Sequence, residues 1–104
     1  TPLHLAAEQG DVDMIGGYLV KHPEDIDKTN EQGMTALVIA AKNKHRDFVE
    51  RLLEHGPKVD LADEKGWTAL HWASVNGDLA IIELLLGEGR GGVADQTNKD
   101  DASR

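Results

Sequence analysis

The chain has 104 residues and a formal net charge of −8, with 39% hydrophobic, 4% aromatic and no cysteine residues. This acidity excludes a clamp for nucleic acid or an anionic membrane surface, and makes a basic or mixed-charge protein the easier partner; it also keeps a helical array in solution. Disulfides and thiolate metal sites are excluded, no apolar run approaches the roughly 20 residues that span a bilayer, and the scarcity of aromatics calls for a core of aliphatic side chains and alanine.

The first segment opens on Thr1, whose hydroxyl can cap a helix, with Pro2 at the first helical position. The helix reads Pro2 to Gln9 and stops at Gly10. A second helix is expected from Val12 to Lys21, with Val12, Ile15 and Leu19 on one face. Gly16 and Gly17 lie inside it, each costing about 1 kcal/mol relative to alanine. The first segment is therefore expected to be the least stable. A loop follows from His22 to Asp27.

A projecting turn, Thr29 to Met34, opens the second segment, with Gly33 where a left-handed backbone is needed. Helices are expected over Ala36 to Asn43 and Arg46 to Glu54, the latter carrying Phe48, Val49, Leu52 and Leu53. Lys44 stands between them where the other segments have Gly10 and Gly77, which predicts a strained or reshaped corner.

The third segment has the turn Asp63-Glu64-Lys65-Gly66-Trp67, a helix capped by Thr68 and ending near Asn76-Gly77, and a second helix over Leu79 to Leu86. That last helix is apolar around most of its circumference and calls for burial on more than one side. The chain is thus expected to continue, or to be covered, at this end. Gly87, Gly89 and Gly92 formally fit a dinucleotide fingerprint, but they follow a helix rather than a strand and read as a loop. Residues 97–103 track residues 29–35.

Three in-phase runs tie these segments together: Thr1-Pro2-Leu3-His4-Leu5-Ala6-Ala7, Thr35-Ala36-Leu37-Val38-Ile39-Ala40-Ala41 and Thr68-Ala69-Leu70-His71-Trp72-Ala73-Ser74, offset by 34 and 33 residues. They resemble the T-P-L-H-x-A signature of ankyrin repeats. The resemblance implies an all-α ankyrin-repeat solenoid of about three helix-turn-helix repeats with projecting β-turn loops. Its repeats would cover 1–28 (lacking an opening turn), 29–61 and 62–95, with 96–104 a stub of a fourth repeat or a frayed tail. It also implies that His4 and His71 link helix to turn, a link that Val38 lacks in the middle repeat.

By the same resemblance, partner contacts fall on the turn tips and the ends of the first helices. These are Glu31, Gln32 and Met34 with Lys42 and Asn43, and Glu64, Lys65 and Trp67 with Val75 and Asn76; Glu8 and Gln9 remain in the first repeat. Trp67 is the sharpest of them, because a tryptophan on a turn tip has little core to join and tryptophan is enriched at binding hot spots. Its ring could instead seal the neighbouring turn. Met34 is its equivalent, and the two side by side predict an apolar patch. Trp72 reads as core or groove wall, and Lys42, Asn43 and Asn76 read equally as solvated helix ends.

No catalytic constellation is legible. The five histidines show no metal-ligand spacing, and Glu24-Asp25-x-Asp27 lacks a calcium loop. The expectation is an intracellular (cytoplasmic or nuclear) protein-interaction module, not an enzyme, without cofactor or metal, nucleic-acid partner or membrane insertion. The alternatives are a substrate-recruiting domain of a larger enzyme and a purely structural spacer.

Overall fold

The computed structural model describes residues 1–87. The expectations for the glycine-rich stretch after Gly87 and for the stub at 96–104 lie outside the described residues. The helices are α1 (Pro2–Gln9), α2 (Ile15–Lys21), α3 (Ala36–Lys42), α4 (Arg46–Leu53), α5 (Ala69–Asn76) and α6 (Leu79–Leu86), with short 3-10 turns at Val12–Met14 and Pro23–Asp27.

Local chemistry sets where the first helix of each pair begins. Thr1, Thr35 and Thr68 each accept a hydrogen bond from the backbone N–H three residues on, at 3.3, 3.2 and 3.2 Å, which satisfies one of the donors a helix start leaves open. Packing then orders the helices in two rows. α3 lies between α1 and α5 in one row, while α4 touches α6 and the Val12–Met14 turn in the other. The rows meet within each hairpin, α3 on α4 and α5 on α6. Helices this short are marginal alone, so stacking carries their stability. Buried Ala6, Ala7, Ala40, Ala41, Ala69 and Ala73 let the rows approach closely around Leu3, Ile15, Leu37, Phe48, Leu52 and Ile81.

The second helix of the first pair departs from its expected course. It starts as a 3-10 turn and becomes α-helical only at Ile15, so Gly16 and Gly17 fall in its first turn. Both are exposed, and a methyl group on either would meet nothing within 4 Å. Gly16→Ala and Gly17→Ala are each expected to stabilise the protein by about 0.5–1 kcal/mol through helix propensity and a less flexible unfolded chain. A circular-dichroism melt checks this, and a lower Tm in either variant would contradict it.

The stretch expected as a loop at His22 to Asp27 winds instead into the Pro23–Asp27 turn. Asp25 is buried beneath it, accepting the Tyr18 hydroxyl proton and pairing with Lys28 Nζ at 3.0 Å. The corner at Lys44 is strained rather than reshaped. Its φ of 64° copies the 74° of Gly10 and the 67° of Gly77. A lysine held there costs about 1 kcal/mol or more, so Lys44→Gly is expected to raise stability by about 1 kcal/mol in urea denaturation. Gly10 itself is doubly required, since a Cβ there would come within 2.7 Å of His45 Nδ1.

At the far end α6 buries Ile81 and Leu85, while Leu79 and Leu86 remain 71% and 66% exposed. No helix among the described residues is long and apolar enough to cross a membrane.

Candidate functional site

The projecting turns are built alike. Asn30 Oδ1 accepts from the N–H groups of Gln32 and Met34 at 2.9 and 3.0 Å, and Asp63 Oδ1 from those of Lys65 and Trp67, both at 2.9 Å. Each turn closes on its own backbone, Asn30 N–H to Met34 O at 2.9 Å and Asp63 N–H to Trp67 O at 2.8 Å. The turns also join each other, for Glu64 N–H donates to Gln32 O at 3.1 Å. Gly33, at φ 77°, permits this approach: a Cβ there would lie 3.0 Å from Glu64 N.

Asp63 then ties the turn to the helix behind it. Its second oxygen accepts the Trp72 indole N–H at 3.3 Å. Burial opposes its ionisation, but the donors from Trp67, Lys65 and Trp72 outweigh that and hold its carboxyl below the usual carboxylate range. The Trp67 and Trp72 rings meet with centroids 4.6 Å apart at 50°, and His71 lies 6.1 Å from Trp67. Lys42 leans across from the preceding repeat, its Nζ 5.4 Å from the Trp72 ring centroid. A groove of about 390 Å³ lies between the first and second repeats and shares Lys42 with this cluster; it is lined by Glu8, Asn30, Gln32, Lys42 and Asn43, with the edges of the buried Ile39 and Met34 as its apolar part.

The first-helix ends are tied across repeats. Glu8 O accepts His45 Nε2–H at 2.9 Å, and Lys42 O accepts the Asn76 amide at 3.0 Å. The two carbonyls are 34 residues apart (42 − 8), the offset between Thr1 and Thr35. Each is a helix-end acceptor with no partner inside its own helix. The signature histidines act as expected. His4 Nε2–H donates to Lys28 O and Met34 O at 2.9 and 3.1 Å, while His71 caps with Thr68.

Burial lowers the pKa of His4 against the opposing pull of the Lys28 and Met34 carbonyls, so the folded ring is neutral at pH 7. The unfolded chain therefore binds the proton more readily. Stability from this residue is full above the ordinary histidine value of 6.5 and falls as pH drops through it towards the lower folded value. Urea midpoints that decline between pH 7 and 5, and decline less in His4→Gln, check this; parallel profiles would contradict it.

Of the residues expected to meet a partner, Glu31, Gln32, Lys42, Asn43, Glu64, Lys65 and Val75 are exposed and Trp67 is half-buried. One requires correction. Met34 is only 8% exposed and packs in the core, so it forms no surface patch with Trp67. Asn76 is half-buried, and its amide also ties the repeats by donating to Ala41 O and Lys42 O. The roles of Asn30 and Asp63 emerge only in the structure, although their common offset of 33 residues and their side-chain oxygens were the available signal. The ligand atoms of His22, Glu24 and Asp25, unremarkable together in the sequence, gather within 4.8 Å; Asp25 is already committed to Tyr18 and Lys28.

Residues 3–100 match the family described as ankyrin repeats (3 copies). The chain is 41% identical over 54 residues to the NAD-capped RNA hydrolase NUDT12 of Homo sapiens, and equally to that of Macaca fascicularis, covering 52% of this chain and 12% of theirs. It is 45% identical over 53 residues to cortactin-binding protein 2 of Ornithorhynchus anatinus, covering 51% of this chain and 3% of that one. The chain thus spans a small part of the length of these relatives.

Proposed function

Because this chain belongs to the ankyrin-repeat family, we propose that it is a protein-interaction module gripping a partner across the row of α1, α3 and α5 and the tips of its turns. The observation that supports this best is the Trp67–Trp72 contact, which holds a turn-tip indole against an indole of α5, ring centroids 4.6 Å apart, with Lys42 linking the pair to an open groove. A preset aromatic anchor loses little freedom on binding, and such side chains carry a large share of interface energy. Glu31, Gln32, Glu64, Lys65, Lys42, Asn43 and Val75 form the polar rim and flank. A basic or mixed-charge partner suits the net charge of −8. The setting is intracellular, and no catalytic step is assigned to this segment.

Trp67→Ala is expected to weaken a purified partner at least tenfold, about 1.4 kcal/mol, by calorimetry, with helicity unchanged. If the ring only seals the stack, the variant loses stability and keeps its affinity, which would remove Trp67 from the contact.

A second reading draws on the relatives whose printed name is a hydrolase of NAD-capped RNA, matched here over 12% of their length. In it the repeats recruit a partner or substrate for a catalytic part elsewhere in a longer chain. Sequencing the transcript on both sides of this segment tests it: a flanking catalytic domain supports it, and its absence removes it.

A further inference from the structure

The molecule has two tryptophans, and both belong to one cluster. Building on the interaction-module reading, we propose that Trp67 and Trp72, backed by Asp63, form a site for the alkylammonium group of a lysine on the protein partner, a place the chain's own Lys42 now takes.

Lys42 is the first observation. The chain carries 19 acidic residues, yet the Lys42 ammonium rests 5.4 Å from the centroid of the Trp72 ring. It belongs to neither of the ion pairs formed among the described residues, His22 with Glu24 and Lys28 with Asp25. A cation over an indole face is held by the ring's quadrupole, and tryptophan is the strongest of the aromatic partners.

The second observation explains why this ring is a good one. Its N–H donates to Asp63 Oδ2 at 3.3 Å. A carboxylate accepting an indole proton leaves more electron density on the ring and strengthens its hold on a cation. The negative charge also lies at the N–H edge of the ring, where it adds a direct attraction. Trp67 supplies a second wall, tilted 50° to the first. Both indoles are half-buried, and Trp72 packs against the core, so the rings are reachable and already set in place.

The resident cation defines the ligand. Lys42 is tethered and competes at an effective concentration of the order of millimolar. A free ammonium ion therefore gains little, whereas a lysine delivered by a segment that also engages the groove gains from both contacts. Methylation of that lysine favours it further, because a methylated ammonium sheds water more easily than the strongly hydrated primary one. The acidity of the chain draws such a basic segment in.

Intrinsic fluorescence tests the site directly, since both reporters are in it. The full chain is titrated with tetramethylammonium chloride against sodium chloride at equal ionic strength. The same titration is run with a basic peptide carrying trimethyl-lysine and with its norleucine counterpart. Saturable change with tetramethylammonium is expected, with at least a threefold preference for the trimethyl-lysine peptide over norleucine. Lys42→Met, which removes the competitor from an exposed position, is expected to lower the tetramethylammonium Kd at least threefold, and Asp63→Asn to raise it. Superimposable sodium and tetramethylammonium curves in both the native chain and Lys42→Met overturn the proposal. A partner that is lost on Trp67→Ala but does not compete with tetramethylammonium leaves the interaction module standing and removes the ammonium site. A tetramethylammonium response without any partner at this face supports the site and removes the module.

Discussion

Phe48→Ala is expected to cost about 3–5 kcal/mol, the usual range for removing a fully buried aromatic ring. Phe48 is the only phenylalanine and is completely inaccessible to solvent. It sits on α4, which touches α3, α6 and the Val12–Met14 turn and so meets both neighbouring repeats. A chain of this size has about 5–15 kcal/mol of total stability, so the loss is a large fraction of it. The effect reaches further than a cavity elsewhere in the core. A stack of repeats is held by the interfaces between nearest neighbours, and α4 contributes to both. The urea midpoint should fall by about 1 M or more for an unfolding slope in the ordinary range. Val20→Ala is the control: Val20 is 79% exposed on α2 and its loss should stay within about 0.5 kcal/mol. A Phe48→Ala midpoint as close to the native one as that of Val20→Ala would show that α4 is not what joins the repeats. Binding should fail with the fold, because the groove residue Glu8 and the indole of Trp72 belong to different repeats and share a face only while the stack holds.

The parts of this architecture that were legible in the sequence are those decided within one repeat. A threonine that caps the helix following it, a histidine three residues later and a glycine that turns the chain left-handed are local events. The threonine repeats at 34 and 33 residues, and the histidine and glycine return in the first and third repeats, which made the helix starts readable. What escaped is decided between repeats. Met34 and Trp67 hold the same place in their turns, and the sequence gives no reason to treat them differently. In the structure Met34 is enclosed from both sides. Its carbonyl receives His4 from the preceding repeat, and the Asp63–Trp67 turn closes against Gly33 on the other side. Trp67 has such a neighbour on one side only among the described residues. The ties from His45 to Glu8 O and from Asn76 to Lys42 O were hidden for the same reason, and they use different residue types at different positions for one task. Lys44 was legible as a misfit, but whether the corner or the residue would yield was not; the corner won, because its two helices are packed on both sides.

Asp63→Ala is expected to be the most damaging change at the surface itself, costing about 2–3 kcal/mol. It removes the acceptor for three donors at once: the N–H groups of Lys65 and Trp67 and the Trp72 indole. Hydrogen bonds to a charged group are each worth about 1.5–3 kcal/mol; the turn N–H groups recover part of this from water, so the sum falls well short of three full bonds. Asp63→Asn separates the turn from the charge. Asn30 shows that an amide oxygen serves the same two backbone donors, at 2.9 and 3.0 Å. The asparagine variant should therefore keep the turn and lose the charge-assisted hold on Trp72, at about 1 kcal/mol. The sign of the pH effect follows from the depressed pKa of Asp63. The unfolded carboxyl takes up a proton first, so its contribution is full above the ordinary carboxylate value of about 3.9 and disappears as pH falls through the lower folded value. The stability gap between the native chain and Asp63→Asn should consequently be constant from pH 7 to about 5 and close as the pH falls below about 3.9. A gap that persists unchanged into strong acid would mean that Asp63 acts through shape alone. In that case Trp72 would be positioned by packing, and the electron-rich ring invoked for cation binding would lose its source.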